Sequence, residues 1–320
     1  MKTIGIIGTG MSGITAAFYL KDHFKVELFD KSRGVGGRIA TRRAENGDFD
    51  HGAPFFSITS HSFKQFLNPL FKSNCISPWL IRSVQLETQK KQQTSVYVGT
   101  PSMNHMMKYF KSHLHIKTQT HIQDIKKRNN KWQLFDENHQ QLGNFDWVIS
   151  TAPVAQTKAI IPPHISFYNQ LENYAMHGKI VTMVQVDNLQ DFNFDVAYSN
   201  HTRVDKIIVN SAKPQRLGET SLVVHASNDY SAHIIDENCS VNPEDVIQDL
   251  HDLIDLNPKK ITHIQSHPWR YAQAKTHLKT PYLIDESECI GVCGDWLIES
   301  DVEKAYHSGY TLAMNILRKC

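Results

Sequence analysis

The stretch "TIGIIGTGMSGITAAFYL" near the start of the chain constrains its fold more than any other. Gly8, Gly10 and Gly13 stand in a G-x-G-x-x-G pattern. Before them lies an apolar run, Thr3–Ile7, that suits a buried parallel strand. After them, residues from Ser12 to His23 carry helical spacing, with Ile14, Ala17, Phe18 and Leu20 able to share a face. "KVELFD" (Lys25–Asp30) reads as a second strand, which completes a βαβ unit. In such a unit the first glycine permits a tight turn, the second lets backbone approach a pyrophosphate, and the third allows close helix–strand packing. The helix N-terminus offers free N–H groups and the positive end of its dipole to phosphate. Asp30 ends the second strand, where a carboxylate accepts hydrogen bonds from both ribose hydroxyls and repels a 2′-phosphate. The plainer alternative for Asp30 is a strand terminator.

A second glycine-rich stretch follows at once, "DKSRGVGGRIATRR". Gly34, Gly36 and Gly37 let backbone pass close to a bulky ligand, and Arg38 can reach a pyrophosphate or the sugar-alcohol oxygens beside it. Such a loop has little use in a plain nicotinamide-dependent dehydrogenase and fits a long, extended cofactor. The other end of the chain agrees. "ECIGVCGDWL" is an apolar strand that stops at Gly294-Asp295, and Val302 to Lys319 reads as a final helix. Asp295 can bind ribityl hydroxyls, and the helix start near Asp301–Glu303 can stabilise electron density on a flavin's pyrimidine edge. Helix capping is the alternative for Asp295 and Asp301.

Between these ends, Phe63, Phe66, Leu67, Leu70 and Phe71 have helical spacing. "ETQKKQQTS" reads as a hairpin tip or loop, and "GTPSMNHMMKYF" as a turn with an N-cap at Ser102 and an amphipathic helix. Residues 115–153 read as a β-meander, "KIVTMVQV", "KIIVN" and "TSLVVHA" as further strands, and Asn242 to Leu256 as a helix. Lys and Arg outnumber Asp and Glu by only 34 to 32, too small an excess to imply nucleic acid or an acidic membrane surface. No apolar run approaches the ~20 residues of a membrane span. The N-terminal run imitates a secretory signal, but its spaced glycines serve a phosphate loop instead. Cys75, Cys239, Cys289, Cys293 and Cys320 form no C-x-x-C pair and no even framework, so they read as reduced thiols of a cytoplasmic protein. No metal-ligand spacing is visible.

The segments "GIIGTGMSGITAAFYL", "VELFDKSRGVGGRIATRR", "FDHGAPFF" and "CGDWLIESDVEKAYHSG" resemble the FAD-dependent amine-oxidase superfamily, and within it the renalase-type branch. "HPWRYA" and "GTPSMNHMMKYF" also look like segments of that branch. The resemblance implies an extended, noncovalent FAD, with Gly8, Gly10 and Gly13 at the pyrophosphate, flanked by Met11 and Ser12. It implies Asp30 and Lys31 at the adenosine ribose, and Arg33, Gly37 and Arg38 over the phosphates and ribityl chain. Ile122 matches a position that meets adenine through backbone, and Thr151 and Ala152 pass the adenosine end. Gly52, Ala53, Pro54 and Phe55 lie near the isoalloxazine, with Pro54 where many renalase-like proteins carry glutamine. Gly294 and Asp295 reach the ribityl chain, and Asp301, Val302 and Ala305 the pyrimidine edge.

The expected fold is α/β. A Rossmann-like FAD-binding domain takes residues 1–58, 94–157 and 284–320. An inserted α+β substrate domain on an antiparallel sheet takes residues 59–93 and 158–283. The resemblance implies oxidation of dihydronicotinamide isomers by hydride transfer to flavin N5, with oxygen as acceptor and hydrogen peroxide as product. A flat substrate ring suits an aromatic pocket. Phe55, Phe56, Trp79, Trp269, Tyr271 and Trp296 are candidates for it, each with core packing as the alternative. Trp269 leads because it lies in "HPWRYA". Arg270 either steers a phosphate or makes a structural pair. His51 either donates a hydrogen bond near the flavin or serves structure. A flavin amine oxidase and a non-catalytic FAD-binding protein are the other readings.

Overall fold

The computed structural model describes residues 1–44, 47–188, 191–275, 278 and 280–319, so the expectation for Cys320 lies outside the described residues. The apolar strand Thr3–Ile7 sits inside a six-stranded sheet, parallel to Lys25–Phe29 on one side and to Trp147–Ser150 on the other. Ile116–Lys117 extends the sheet in parallel beyond Lys25–Phe29. Ile290–Cys293 does the same beyond Trp147–Ser150, and Tyr282–Asp285 closes that edge antiparallel. Strands from both ends of the chain therefore lie side by side. Their apolar residues run continuously because both faces are covered. One face packs the helices Met11–Leu20 and Val302–Lys319, through Ile4, Ile6, Ala17, Leu312 and Ile316. The two helices approach closely at Gly309, where a Cβ would run into the Ser12 carbonyl. The other face packs a three-stranded antiparallel meander (Ile122–Arg128, Lys131–Asp136, Gln141–Phe145) through Trp132, Leu134 and Phe145.

A second sheet has seven strands, in the order Ile261–Ala274, Met176–Val186, Thr220–Ala226, Val204–Val209, Val196–Tyr198, Ile76–Gln85, Lys90–Gly99. Its pairs are antiparallel except Val196–Tyr198 with Ile76–Gln85, so the sheet is mixed rather than purely antiparallel. The strand pattern alternates. Leu222 and Val224 turn toward the helix Pro243–Ile254, while Val181, Met183 and Val223 join the core shared with Met11, Val302 and Tyr306 of the first sheet's helices. The inner face of the second sheet thus looks onto the first domain.

Two local expectations change. The boundary at residue 94 falls inside Lys90–Gly99, whose full length pairs with Ile76–Gln85; the break between sheets comes after Gly99. The helix expected to start at Ser102 spans His105–Lys111 with Asn104 at its cap position, and the Ser102 hydroxyl bonds to Asn104 instead. Among the described residues, no helix is long and apolar enough to cross a membrane.

Candidate functional site: a dinucleotide cradle facing an aromatic sheet

Parallel strands release their carboxyl ends at one edge of a sheet, where α/β folds place ligands. Four strands do so here: Ile7 leads to Gly8, Phe29 to Asp30, Ser150 to Thr151 and Cys293 to Gly294. Gly8 has φ +109°, a conformation that favours glycine. At Gly13 a Cβ would run into the Gly8 carbonyl, so this glycine serves helix–strand contact. At Gly10 and Gly34 a Cβ would meet nothing within 4 Å. The backbone there borders open space at the start of helix Met11–Leu20, which is the cradle a pyrophosphate requires. Met11 and Ser12 are buried in the first turn of that helix. The residues present therefore fit a dinucleotide.

Asp30 is buried. Its Oδ2 accepts from the Thr9 amide (2.9 Å) and hydroxyl (2.5 Å), and its Oδ1 accepts from the Ser32 amide (2.8 Å). It thereby pins the glycine turn, and a carboxylate has one more lone-pair direction for a ribose hydroxyl. Thr120 donates its amide to the Asp30 carbonyl, which brings Ile122 to the same edge, packed with Phe29. Thr151 donates its hydroxyl to the Ile7 carbonyl and lies against Gly8 and Gly13. Lys31, Arg33 and Gly37 lie on the exposed side of the loop.

Arg38 and Asp295, both expected at the cofactor, are brought together. The guanidinium is ion-paired with the Asp295 carboxylate and donates to the Ala272 carbonyl (2.8 Å). Their opposite charges compensate each other, and the pair ties the second glycine loop to the C-terminal strand. Gly294 passes so close to the Trp296 ring that a Cβ would strike it. Asp301 caps the final helix, accepting from the amides of Glu303 (2.6 Å) and Lys304 (3.3 Å). Val302 and Ala305 are buried in that helix. The Glu303 side chain, whose partners the sequence did not reveal, accepts from the Thr59 amide and hydroxyl and the Ser60 amide. It thus fastens the final helix to the start of helix His61–Lys72.

The segment from His51 to Phe55 crosses between the two sheets. Ala53 donates its amide to the Arg38 carbonyl (2.8 Å), and a Cβ on Gly52 would run into that same carbonyl. Pro54 follows, half-buried. Trp269 donates its indole N–H to the His51 carbonyl (2.7 Å), and its ring lies 5.2 Å from the His51 ring. His267 touches both rings, at 5.1 Å and 4.7 Å. Burial, with His267 and Arg42 nearby, pulls His51 down to about 4, so its ring is neutral at pH 7. His51 Nδ1 is buried without a hydrogen-bond partner.

The structure sorts the aromatic candidates. Phe55, Trp79 and Trp269 border the inner face, with Phe55 edge-on to Trp79 at 6.1 Å. Phe56 packs in the core with Phe63 and Tyr97. Trp296 is fully buried and donates to the Ala152 carbonyl, so it is a core residue. Tyr271 lines a separate crevice of about 390 Å³ with Val154, Tyr174 and Met176. Arg270 is exposed and alternates to the outer face, away from any phosphate at this site. Burial pushes the Cys293 thiol well up, and its side chain packs among the sheet–helix core.

Next to His51 lies an ion cluster that sequence reading missed. Asp50, Lys213 and Arg216 are buried together, with Asp50 Oδ2 3.0 Å from Lys213 Nζ and 2.6 Å from Arg216. Asp50 also accepts from the Met103 amide and the Thr41 hydroxyl. Burial pushes the Asp50 carboxyl up, but Lys213 and Arg216 more than reverse this and hold it at about 2. The cluster fixes the root of the His51–Phe55 segment.

Comparison with known proteins agrees with this geometry. The NAD(P)-binding Rossmann-like domain family matches residues 6–70. Prenylcysteine oxidase 1 of Bos taurus is 34% identical over 81 residues, 24% of this chain and 16% of that protein. The Homo sapiens protein is 34% identical over 71 residues, 21% of this chain and 14% of its own length. A structure assigned to a protoporphyrinogen oxidase from Exiguobacterium sp. 255-15 covers 100% of this chain and 99% of its own, with TM-score 0.75 and 11% identity. Putrescine oxidase bound to putrescine covers 99% of both chains, with TM-score 0.73 and 11% identity. The chain therefore carries a Rossmann-like dinucleotide-binding domain within an overall fold shared with solved oxidases.

Proposed function

We propose that this chain is an FAD-dependent oxidoreductase acting on a small, flat dihydropyridine of the reduced-nicotinamide type. The observation that carries the reading is the convergence of Gly8–Gly13, Asp30, Thr151 and Gly294 on one sheet edge, opposite the aromatic face of Phe55, Trp79 and Trp269. When bound, FAD would supply the hydride acceptor, with oxygen as the terminal acceptor and hydrogen peroxide as product.

The protein's own residues bind and position. The amides at the start of helix Met11–Leu20 would hold the pyrophosphate, Asp30 the adenosine ribose, and Arg38 with Asp295 the ribityl chain. The N-terminus of helix Val302–Lys319 would offer its positive dipole end to the flavin's pyrimidine edge. Phe55, Trp79 and Trp269 orient a flat ring and keep water from it. His51, neutral at pH 7, supplies shape and a hydrogen-bonding ring rather than charge. Amine oxidation is the second reading, supported by the fold shared with putrescine oxidase.

The test is anaerobic reduction of the bound flavin. Borohydride-reduced NAD⁺, which contains isomers with misplaced hydride, ordinary NADH and an aryl amine go into separate cuvettes. Bleaching by the isomer mixture alone supports the proposal. Bleaching by the amine transfers the chain to the amine oxidases. A protein that cannot be loaded with FAD overturns the cofactor assignment.

A further inference from the structure

The inner face of the seven-stranded sheet carries a line of side chains that the proposed reaction leaves unused. Strand register fixes it. Val181 stands opposite His267 on one side and opposite His225 on the other; His225 stands opposite Lys206, and Lys206 opposite Tyr198. Directly opposed residues project from the same face. His267, Val181, His225, Lys206 and Tyr198 therefore form one row across five strands. His267 at one end of the row and Lys206, next to the other end, face the His51–Phe55 segment. The His267 ring is 5.1 Å from His51, and Lys206 Nζ lies 5.9 Å from the Phe55 ring centre and 5.2 Å from that of Tyr198.

The charges along this face do not balance. Asp50 is engaged by Lys213 and Arg216, Asp295 by Arg38, and Asp205 by Lys179. Among the described residues Lys206 makes no direct ion pair or hydrogen bond; it lies over the faces of two aromatic rings, and although the neighbouring Asp205 charge favours its ammonium, burial and Lys179 outweigh that and lower it. Beside it, His225 Nε2 is buried without a partner. Burial, together with Lys206, Lys179 and Lys213, holds His225 well below its ordinary value and therefore neutral. One carboxylate, Asp205, thus serves two lysines, and an ammonium in direct contact with none favours an incoming anion and opposes a cation.

We infer that Lys206, with His225 beside it, receives an anionic group of the substrate, a carboxylate or a phosphate, while the substrate's ring lies toward Phe55 and Trp269. The inference rests on the reading that this face holds the substrate, and it deepens it. The substrate is a planar anion, and a diamine such as putrescine is rejected by like charge.

Titration calorimetry of the FAD-loaded protein tests this with four ring compounds of similar size: benzoate, phenyl phosphate, benzamide and benzylamine. At least one anion should bind about tenfold or more tighter than benzamide, and benzylamine should be weakest. Preference for benzoate identifies a carboxylate as the recognised group, and preference for phenyl phosphate a phosphate. Lys206→Met should lower the anion-to-benzamide affinity ratio about tenfold, while Lys206→Arg keeps it within about threefold, because the charge remains. Circular dichroism checks that both variants fold. Benzylamine binding as tightly as benzoate, no binding of either anion, or an unchanged ratio in the folded Met variant overturns the inference. Lys206-dependent anion binding in a protein whose flavin no dihydropyridine reduces would keep the anion site and discard the reaction. Rapid reduction by the isomer mixture with an unchanged ratio would do the reverse.

Discussion

Asp30, the proposed ribose ligand, also holds the fold. Its carboxylate accepts three hydrogen bonds from Thr9 and Ser32, so a reading as ribose ligand alone understates it. Asp30→Ala strands the buried Thr9 donors, and stability should fall by about 1–3 kcal/mol in urea unfolding. The purified variant should also lose most of its flavin absorbance. Retention of both would remove Asp30 from the site. The position of Asp30 at the end of strand Lys25–Phe29, beside the glycine turn, was legible because it is set locally. Asp50 was not, because Lys213 and Arg216 come from 163 and 166 residues away. Asp50→Asn leaves two buried cations without their counter-charge and should destabilise the fold by about 3–5 kcal/mol at pH 7. The sign with pH follows from the lowered carboxyl. Its contribution is complete above the unfolded value of 3.8 and is lost as pH falls through about 2. The urea-midpoint gap between wild type and Asp50→Asn should therefore narrow below pH 4, and narrow again toward pH 8, where buried Lys213, already held down to about 8 and lower still without the Asp50 charge, gives up its proton.

Elements follow the same division between local and distant causes. The strand–glycine–helix unit was readable because turn, helix and strand each carry their own signal within one stretch. The strand Lys90–Gly99 was not, since its first six residues are exposed and polar and look like a loop. Its ladder to Ile76–Gln85 makes it a strand, and pairing does not show in one strand's composition. The two glycines that flank the start of the first helix give a sharp test at this scale. Gly13→Ala forces a methyl into the Gly8 carbonyl, so helix and strand must part, and the thermal midpoint should drop by several degrees. Gly10→Ala meets nothing in the protein, so the midpoint of the flavin-free form should stay within about a degree. Its methyl points where a pyrophosphate would lie, and FAD affinity, read by fluorescence titration, should fall about tenfold or more. Equal loss of stability in both variants would show that the loop's glycines serve packing alone.

At the scale of the whole molecule, the sequence shows two lobes, but only the structure shows how tightly they are joined. One core cluster holds Met11, Ile14, Val302 and Tyr306 from the dinucleotide part. It also holds Phe63, Phe66 and Leu67 from helix His61–Lys72, and Val181, Met183 and Val223 from the second sheet. Glu303 bonds across the same junction. The pairings that build it link distant segments, Val196–Tyr198 with Ile76–Gln85 for example, and register of that kind is set by burial rather than by local pattern. Two lobes sharing a continuous apolar core should lose it in one step, because neither can unfold without exposing the other's face. Thermal unfolding should therefore be a single transition, with near-UV circular dichroism and flavin fluorescence giving the same midpoint. Free FAD at about 100 times its dissociation constant should add about 2.7 kcal/mol and move both probes together. Two separated transitions, with FAD shifting only one, would mean that the lobes are independent and that the substrate face is assembled by docking rather than by folding.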